Sequence, residues 1–310
     1  MLSRGPENKN IMKNNTVSGS RALRTYWIVA GVLMTAIAAV LASLLHWGQA
    51  IEAADANYGA AAAAGGHAVC ASGTRPGSAG RHRLRSRDGV PYVVVTPRNY
   101  RPQHGHPLLV VYAPAGFSAG LSERFAGLTH EATAAGYVLA FVASGPPLTP
   151  EAVRRMALVP AEVAAQWCIA PGRIHATGHS DGGTVSLALA ALEAHRGTVD
   201  AIAVSGAGWQ ITDFIGLDCP PPLPVMILHG ADDRHFPGFG RDAAQWWSSC
   251  NACSGEREPD AAGCRRYTGC AAETVYCETP RSHWRWAGAP HQVLEFLDRQ
   301  SSQARALPPG

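Results

Sequence analysis

Unbroken apolar runs recur along this chain, each bounded by glycine, proline or a polar residue. They are PLLVVYA (107–113), GYVLAFVA (136–143), AIAVSGA (201–207) and PVMILHG (224–230). Runs this short, without polar alternation, read as strands buried on both faces. A shorter apolar stretch, residues 173–177, and ETVYCE at 273–278 read as further strands. Helical spacing occupies the intervals at 122–135, 150–168 and 183–196, and again at GRDAAQWWSS (240–249) and in a closing amphipathic stretch, APHQVLEFLDRQ (289–300). RHRLRSRDGVPYVVVTP reads as a hairpin turning at Asp88–Gly89. Strands alternating with helices predict an α/β protein with a mostly parallel central sheet and helices on both faces.

One segment stands apart. Residues 26–45, YWIVAGVLMTAIAAVLASLL, carry no charge and are long enough to cross a bilayer as a helix. The preceding residues 1–25 are polar and include Lys9, Lys13, Arg21 and Arg24, a basic flank expected to stay in the cytoplasm. Residues 26–48 are thus expected to be a retained signal anchor or a cleaved signal peptide, and in both cases the body is exported. The Ala/Gly-rich residues 49–69 read as a tether, residues 70–302 as the folded domain, and 303–310 as a loose tail.

Composition narrows this picture. Twenty-six basic residues against 23 acidic ones leave a net charge of +3 in 310 residues, too even a balance for a nucleic-acid binder. All eight cysteines follow the apolar segment, and an even set on the exported side implies disulfides. Five of them crowd into residues 250–277; connectivity does not follow from spacing. Cys250-Asn-Ala-Cys253 also has thiol–disulfide exchange spacing, but it follows a helix and sits among further cysteines, which favours structural bridges. Trp246 and Trp247 offer rings for stacking on a ligand, with at least one expected in the core.

Chemistry gathers at strand ends, where open α/β sheets place functional groups. Gly178-His179-Ser180-Asp181-Gly182 sits between a strand and a helix, and its glycines permit a sharp elbow that exposes Ser180. Asp232 and Asp233 follow the strand PVMILHG, with Asp233 the expected acid and Asp232 a turn residue. His283 follows ETVYCE and supplies the base. Serine needs such a base to attack near neutral pH, and the carboxylate holds the imidazole tautomer. The order Ser, Asp, His is that of an α/β-hydrolase triad. Backbone N–H groups of Asp181 and Phe117 are the expected oxyanion donors. His291 is the rival base, expected at the surface of the last helix, whereas His229 reads as a buried structural residue and His179 as lining the site. No dense ligand spacing suggests a metal, and no cofactor is expected.

These residues carry a family resemblance over residues 70–299. VCASGTRPGS, VPYVVVTPRNYRPQHGHPLLVVYAPAG, WCIAPGRIHATGHSDGG, LHGADDRHFP and YTGCAAETVYCETPRSHWRW occur in order. Together they resemble the exported feruloyl esterases and polyhydroxybutyrate depolymerases of the α/β-hydrolases. The resemblance implies that fold, an acyl-enzyme route to ester hydrolysis, and the roles above for Ser180, Asp233 and His283. The chain departs from the pattern at Ala115-Gly116, where His-Gly is usual, and at Arg281-Ser282, where glycines precede the base. The implied partner is an ester substrate, polysaccharide- or polyester-linked, with the N-terminal helix as membrane contact and no nucleic acid. The substrate range covers feruloyl, acetyl and short hydroxyalkanoate esters, including polyhydroxybutyrate oligomers. Rival readings are a non-catalytic surface binding protein on a hydrolase scaffold, and a thiol oxidoreductase acting through Cys250 and Cys253.

Overall fold

The computed structural model describes residues 75–145 and 147–306, with residues 27, 34, 35, 37, 38 and 70; for 301–306 it describes the backbone alone. The chain divides into two compact units, residues 1–53 and 54–310. In the first, Trp27, Met34, Thr35, Ile37 and Ala38 are described, all helical and exposed. The remainder of the expected anchor and the tether at 49–69 lie outside the described residues. Among the described residues no helix is long and apolar enough to cross a membrane.

The second unit is built on a ten-stranded sheet. In chain order its strands are β1 (Arg81–Arg85), β2 (Pro91–Val95), β3 (His106–Tyr112), β4 (Val138–Val142), β5 (Ile169–His179), β6 (Ala201–Ser205), β7 (Val225–Gly230), β8 (Gly255–Glu256), β9 (Cys264–Thr268) and β10 (Thr274–Thr279). Spatially they run β1-β2-β4-β3-β5-β6-β7-β10-β9-β8. The six from β4 to β10 are parallel to one another, and antiparallel pairs close both edges.

Successive side chains of a strand point to opposite faces, so an unbroken apolar run serves two cores at once. In β3, Leu108, Val110 and Tyr112 enter one core while Leu109 and Val111 enter the other. The first core is closed by helices α3 (Pro150–Met156), α4 (Val159–Gln166), α5 (Asp181–Ala191) and α6 (Phe239–Cys250), through Met156, Val163, Leu187 and Trp247. The second is closed by α1 (Ala119–Ala126), α2 (Thr129–Ala134) and α7 (Pro290–Ala306), through Ala126, Ala132, Val293 and Phe296.

Four helical expectations are corrected in their bounds. The stretch 183–196 is shorter, since α5 ends at Ala191 and a separate 3-10 turn, Glu193–His195, follows. The stretch 122–135 is two helices, because Gly127 takes a left-handed conformation and caps α1 with its N–H on the Glu123 carbonyl. The stretch 150–168 also divides, since Pro160 has no N–H to donate and is accommodated in the first turn of a new helix, α4. The closing helix runs on to Ala306, into the expected tail, as no breaker intervenes before Pro308.

All eight cysteines are paired: Cys70–Cys168, Cys219–Cys250, Cys253–Cys270 and Cys264–Cys277. Cys250 and Cys253 therefore face different partners, which removes the exchange-site reading of Cys250-Asn-Ala-Cys253. Cys264 and Cys277 stand opposite each other in the β9–β10 register, so that bridge staples the sheet edge. Under denaturing, non-reducing conditions the protein should show no thiol titratable by Ellman's reagent. Each bridge contributes about 2–5 kcal/mol, so reduction should lower the melting temperature sharply. Equal melting of the oxidised and reduced forms would contradict this arrangement.

Candidate active site

The site begins at the junction of β5 and α5. Ser180 sits there with φ 56° and ψ −121°, a positive-φ conformation that a residue with a side chain adopts only when its surroundings impose it. The surroundings are tight. A Cβ at Gly178 would lie 2.3 Å from the Gly182 carbonyl carbon, and one at Gly182 would lie 2.0 Å from the Tyr112 carbonyl oxygen. Only glycines let the elbow fold on itself and press against the end of β3. Ser180 is held by its N–H, which donates to the Ser205 carbonyl at 3.0 Å, and its own carbonyl accepts from Thr184. Its hydroxyl is thereby left standing above the helix start.

His283 lies in the loop between β10 and α7. Its Nε2 is 2.9 Å from Ser180 Oγ, and its Nδ1 is 2.8 Å from Asp233 Oδ2. The carboxylate is an acceptor only, so His283 carries its proton on Nδ1 and Nε2 accepts from the serine hydroxyl. Asp233, on the loop after β7, is buried; its other oxygen accepts the backbone N–H groups of His235 and Phe236, each at 2.9 Å. Burial raises this carboxyl, but the donors from Phe236, His283 and His235 outweigh it and hold it below the usual aspartate range. The three residues, 180, 233 and 283, thus meet from the ends of β5, β7 and β10. A serine hydroxyl donating to an imidazole that a carboxylate orients is an arrangement suited to acyl-transfer chemistry.

The two oxyanion positions fare differently. Asp181 opens α5, where the first N–H groups have no acceptor inside the helix and the dipole favours negative charge. Phe117 is corrected: its N–H closes a turn onto the Pro114 carbonyl at 3.0 Å, so it presents no spare donor in this conformation. Its ring packs edge-on against Phe125.

The other sequence candidates fall into place around this centre. His291 is exposed on α7, and Asp232 is an exposed turn residue whose N–H donates to the Arg281 carbonyl. His229 is buried and directs Nε2 to the Phe236 carbonyl at 2.9 Å, leaving 3.8 Å to Asp233. Trp247 is fully buried and Trp246 stacks on Phe214, so neither offers an open platform. Among the described residues no group of three or more His, Cys, Asp or Glu is placed to hold a metal. Sequence reasoning missed Ser205, His235 and Trp286. Ser205 ends β6, so the strand-end rule that found Ser180 applies to it; His235 and Trp286 carry no such signal. The His235 ring lies 4.8 Å from that of His283, and Trp286 lies 6.0 Å from His179.

No family model matches this sequence, and no curated protein matches it. Solved structures do match the fold. An acetyl xylan esterase from Aspergillus awamori superposes with a TM-score of 0.56 at 10% identity, over 72% of this chain and 99% of that one. A thermophilic esterase from the Planctomycetes species Thermogutta terrifontis, with butyrate bound, gives 0.52 at 15% identity, over 74% and 96%. The chain has the α/β-hydrolase fold.

Gly182→Ala drives a methyl group into the Tyr112 carbonyl and should destabilise by about 1–3 kcal/mol or more, read by urea denaturation. Stability also depends on pH through the buried imidazoles. Burial lowers His175 to about 3 and His179 to about 4, from an unfolded value of 6.5. Unfolding therefore takes up protons between these values, so stability is full above about pH 6.5 and falls as pH drops toward 4. Asp233, lowered rather than raised, withdraws its contribution only as pH falls below 3.8. The urea midpoint should fall from pH 7 to pH 4.5; a flat profile would contradict neutral buried imidazoles.

Proposed function

We propose that this protein is an exported serine hydrolase of carboxylic esters. The observation that carries the reading is the hydrogen-bonded chain Ser180–His283–Asp233, at 2.9 and 2.8 Å, raised on a strained elbow. Ser180 Oγ attacks the ester carbonyl as His283 Nε2 takes its proton. The tetrahedral oxyanion is held by the Asp181 N–H, with a second donor from the loop after β3. His283 then returns the proton to the departing alcohol, leaving an acyl-serine that water cleaves by the same steps in reverse order of groups.

The alcohol leaves on the side of the general acid. There a depression of about 620 Å3 is lined by Asp232, Arg234, His235, Ser282, His283 and Trp284. Trp284 is 81% exposed, a flat apolar face amid polar groups. This lining suits a ring-bearing polar alcohol, which favours feruloyl- or acetyl-type esters over linear hydroxyalkanoate oligomers. Eight cysteines in four bridges support an oxidising compartment, as does the apolar segment at 26–45 read as a signal anchor or signal peptide.

One observation favours a second reading, a non-catalytic binding protein on this scaffold: the Phe117 N–H is already committed to Pro114. Labelling by a fluorophosphonate decides between them, because it requires an activated serine. The wild-type domain should label and turn over a 4-nitrophenyl acetate, a methyl ferulate or a hydroxybutyrate oligomer. Ser180→Ala should abolish both while melting within a few degrees of wild type. Asp233→Asn should lower kcat by about 10³–10⁴-fold. A folded wild type that neither labels nor turns over would overturn the esterase reading.

A further inference from the structure

The loop bearing His283, residues 280–289, contains no helix or strand. Something outside it must fix the imidazole to within hydrogen-bond tolerance of both Ser180 and Asp233. His179, the residue before the nucleophile, is buried at 3% exposure and uses both ring nitrogens. Nε2 lies 2.6 Å from the main-chain carbonyl of His283, and Nδ1 lies 3.0 Å from Ser205 Oγ. Ser205 Oγ in turn accepts the Ala287 N–H at 2.9 Å.

We propose that His179 is a positioning residue, which clamps the main chain of His283 to the nucleophile elbow through a closed circuit of hydrogen bonds. This rests on the esterase reading for its kinetic consequences, though not for its geometry.

The directions within the circuit are dictated by chemistry. A carbonyl only accepts, so His179 carries its proton on Nε2 and donates to the His283 carbonyl. The neutral ring then has a bare Nδ1, which accepts the Ser205 hydroxyl proton. The Ser205 oxygen keeps a lone pair for the Ala287 N–H. The circuit leaves residue 283, passes through 179 and 205, and returns at 287, so it grips both ends of the five-residue segment 283–287. Every N–H and O–H proton in it has one acceptor, and Ser205 Oγ both donates and accepts. The tie lengthens no path between the reacting groups, because His179 and Ser180 are adjacent. A displacement of the elbow therefore carries the base with it, and the 2.9 Å Ser180–His283 separation is kept.

The environment maintains the neutral form that this circuit needs. Burial is the largest influence on His179 and takes it down to about 4, with the His283 tie and the Asp233 charge opposing and the nearby His283 and His229 rings adding to it. A protonated Nδ1 would confront the Ser205 hydroxyl proton. Phe125 and Trp286 close over the ring, at 5.3 and 6.0 Å between centroids, and exclude water that would compete for the same carbonyl. A histidine acting only as filler would need neither nitrogen aligned.

Two variants and one spectrum test this. His179→Phe keeps an aromatic ring, somewhat larger, and removes both hydrogen bonds. His179→Gln keeps a donor at similar reach to the His283 carbonyl. With the clamp, His179→Phe should remain folded, hold KM within about twofold and lose about 10–100-fold in kcat and in fluorophosphonate labelling rate, as misplacement of about 1 Å does. His179→Gln should recover a substantial part of that loss. A folded His179→Phe with wild-type kcat, or a His179→Gln no better than it, would overturn the proposal. Should His179→Phe fail to fold, Ser205→Ala, which removes the ring's second anchor, takes its place with the same expectation of lowered kcat at unchanged KM. Independently of activity, ¹⁵N–¹H spectra of histidine-labelled wild type at pH 7 should show His179 as the Nε2–H tautomer. An Nδ1–H tautomer would overturn the clamp, whereas an inert wild type with the Nε2–H signal would overturn the esterase reading and leave the clamp standing.

Discussion

The close approach of Gly182 to the Tyr112 carbonyl, at the top of β3, is the contact on which the site depends. A single methyl group there would separate α5 from the sheet. With the contact made, the helix starts immediately beyond β5, and Ser180 is forced to φ 56° at the joint. The strain is held by the Ser180 N–H bond to Ser205 and by the first turn of α5 behind it. The serine hydroxyl is then the atom that projects, and the unsatisfied N–H groups of the helix start lie beside it. Backbone geometry, more than any side chain, makes this serine accessible and polarised.

Asp233 and His283 come to this elbow by a different route. Each is carried by a loop at the end of its own parallel strand, β7 for Asp233 and β10 for His283. The sheet order, with β6, β7 and β10 following β5, brings those loops side by side. Loops alone are imprecise, and the molecule compensates with fixed partners. Asp233 is pinned by two backbone donors from its own turn. The segment after His283 is pinned by Ser205 and by Thr279, whose hydroxyl donates to the Ala287 carbonyl at 2.6 Å. Arg281 adds a bond to the Trp286 carbonyl. The disulfide Cys264–Cys277 holds β10 itself against β9. The precision of the dyad is thus distributed over several inexpensive interactions rather than one strong one.

Charge and burial follow the same division of labour. Asp233 stays ionised in a buried place because three donors replace the water it has lost. The imidazoles His175 and His179, with no comparable acid at hydrogen-bond range, stay neutral instead. At the site itself the Asp233 charge, held by protein donors, thus lies near a neutral His179 ring, and neither depends on water to keep its state.

The sequence by itself determined the layered sheet, since unbroken apolar runs of strand length admit burial on both faces and little else. It also determined the elbow, because glycines two positions either side of a serine between strand and helix leave few other geometries, and it singled out Ser180, Asp233 and His283 by their places at strand ends. Helix bounds were less legible: Gly127 and Pro160 interrupt spacing patterns that are continuous in their apolar residues. The tertiary structure decided what depends on distance between remote segments. It chose the partners of Cys250 and Cys253, and joined His179, Ser205 and Ala287 around His283. None of these has a local signature, because a hydrogen bond or a bridge between residues up to 104 positions apart is set by the packing of the strands that carry them. Local pattern specifies which groups reach the rim of the sheet; only the assembled sheet specifies which of them touch.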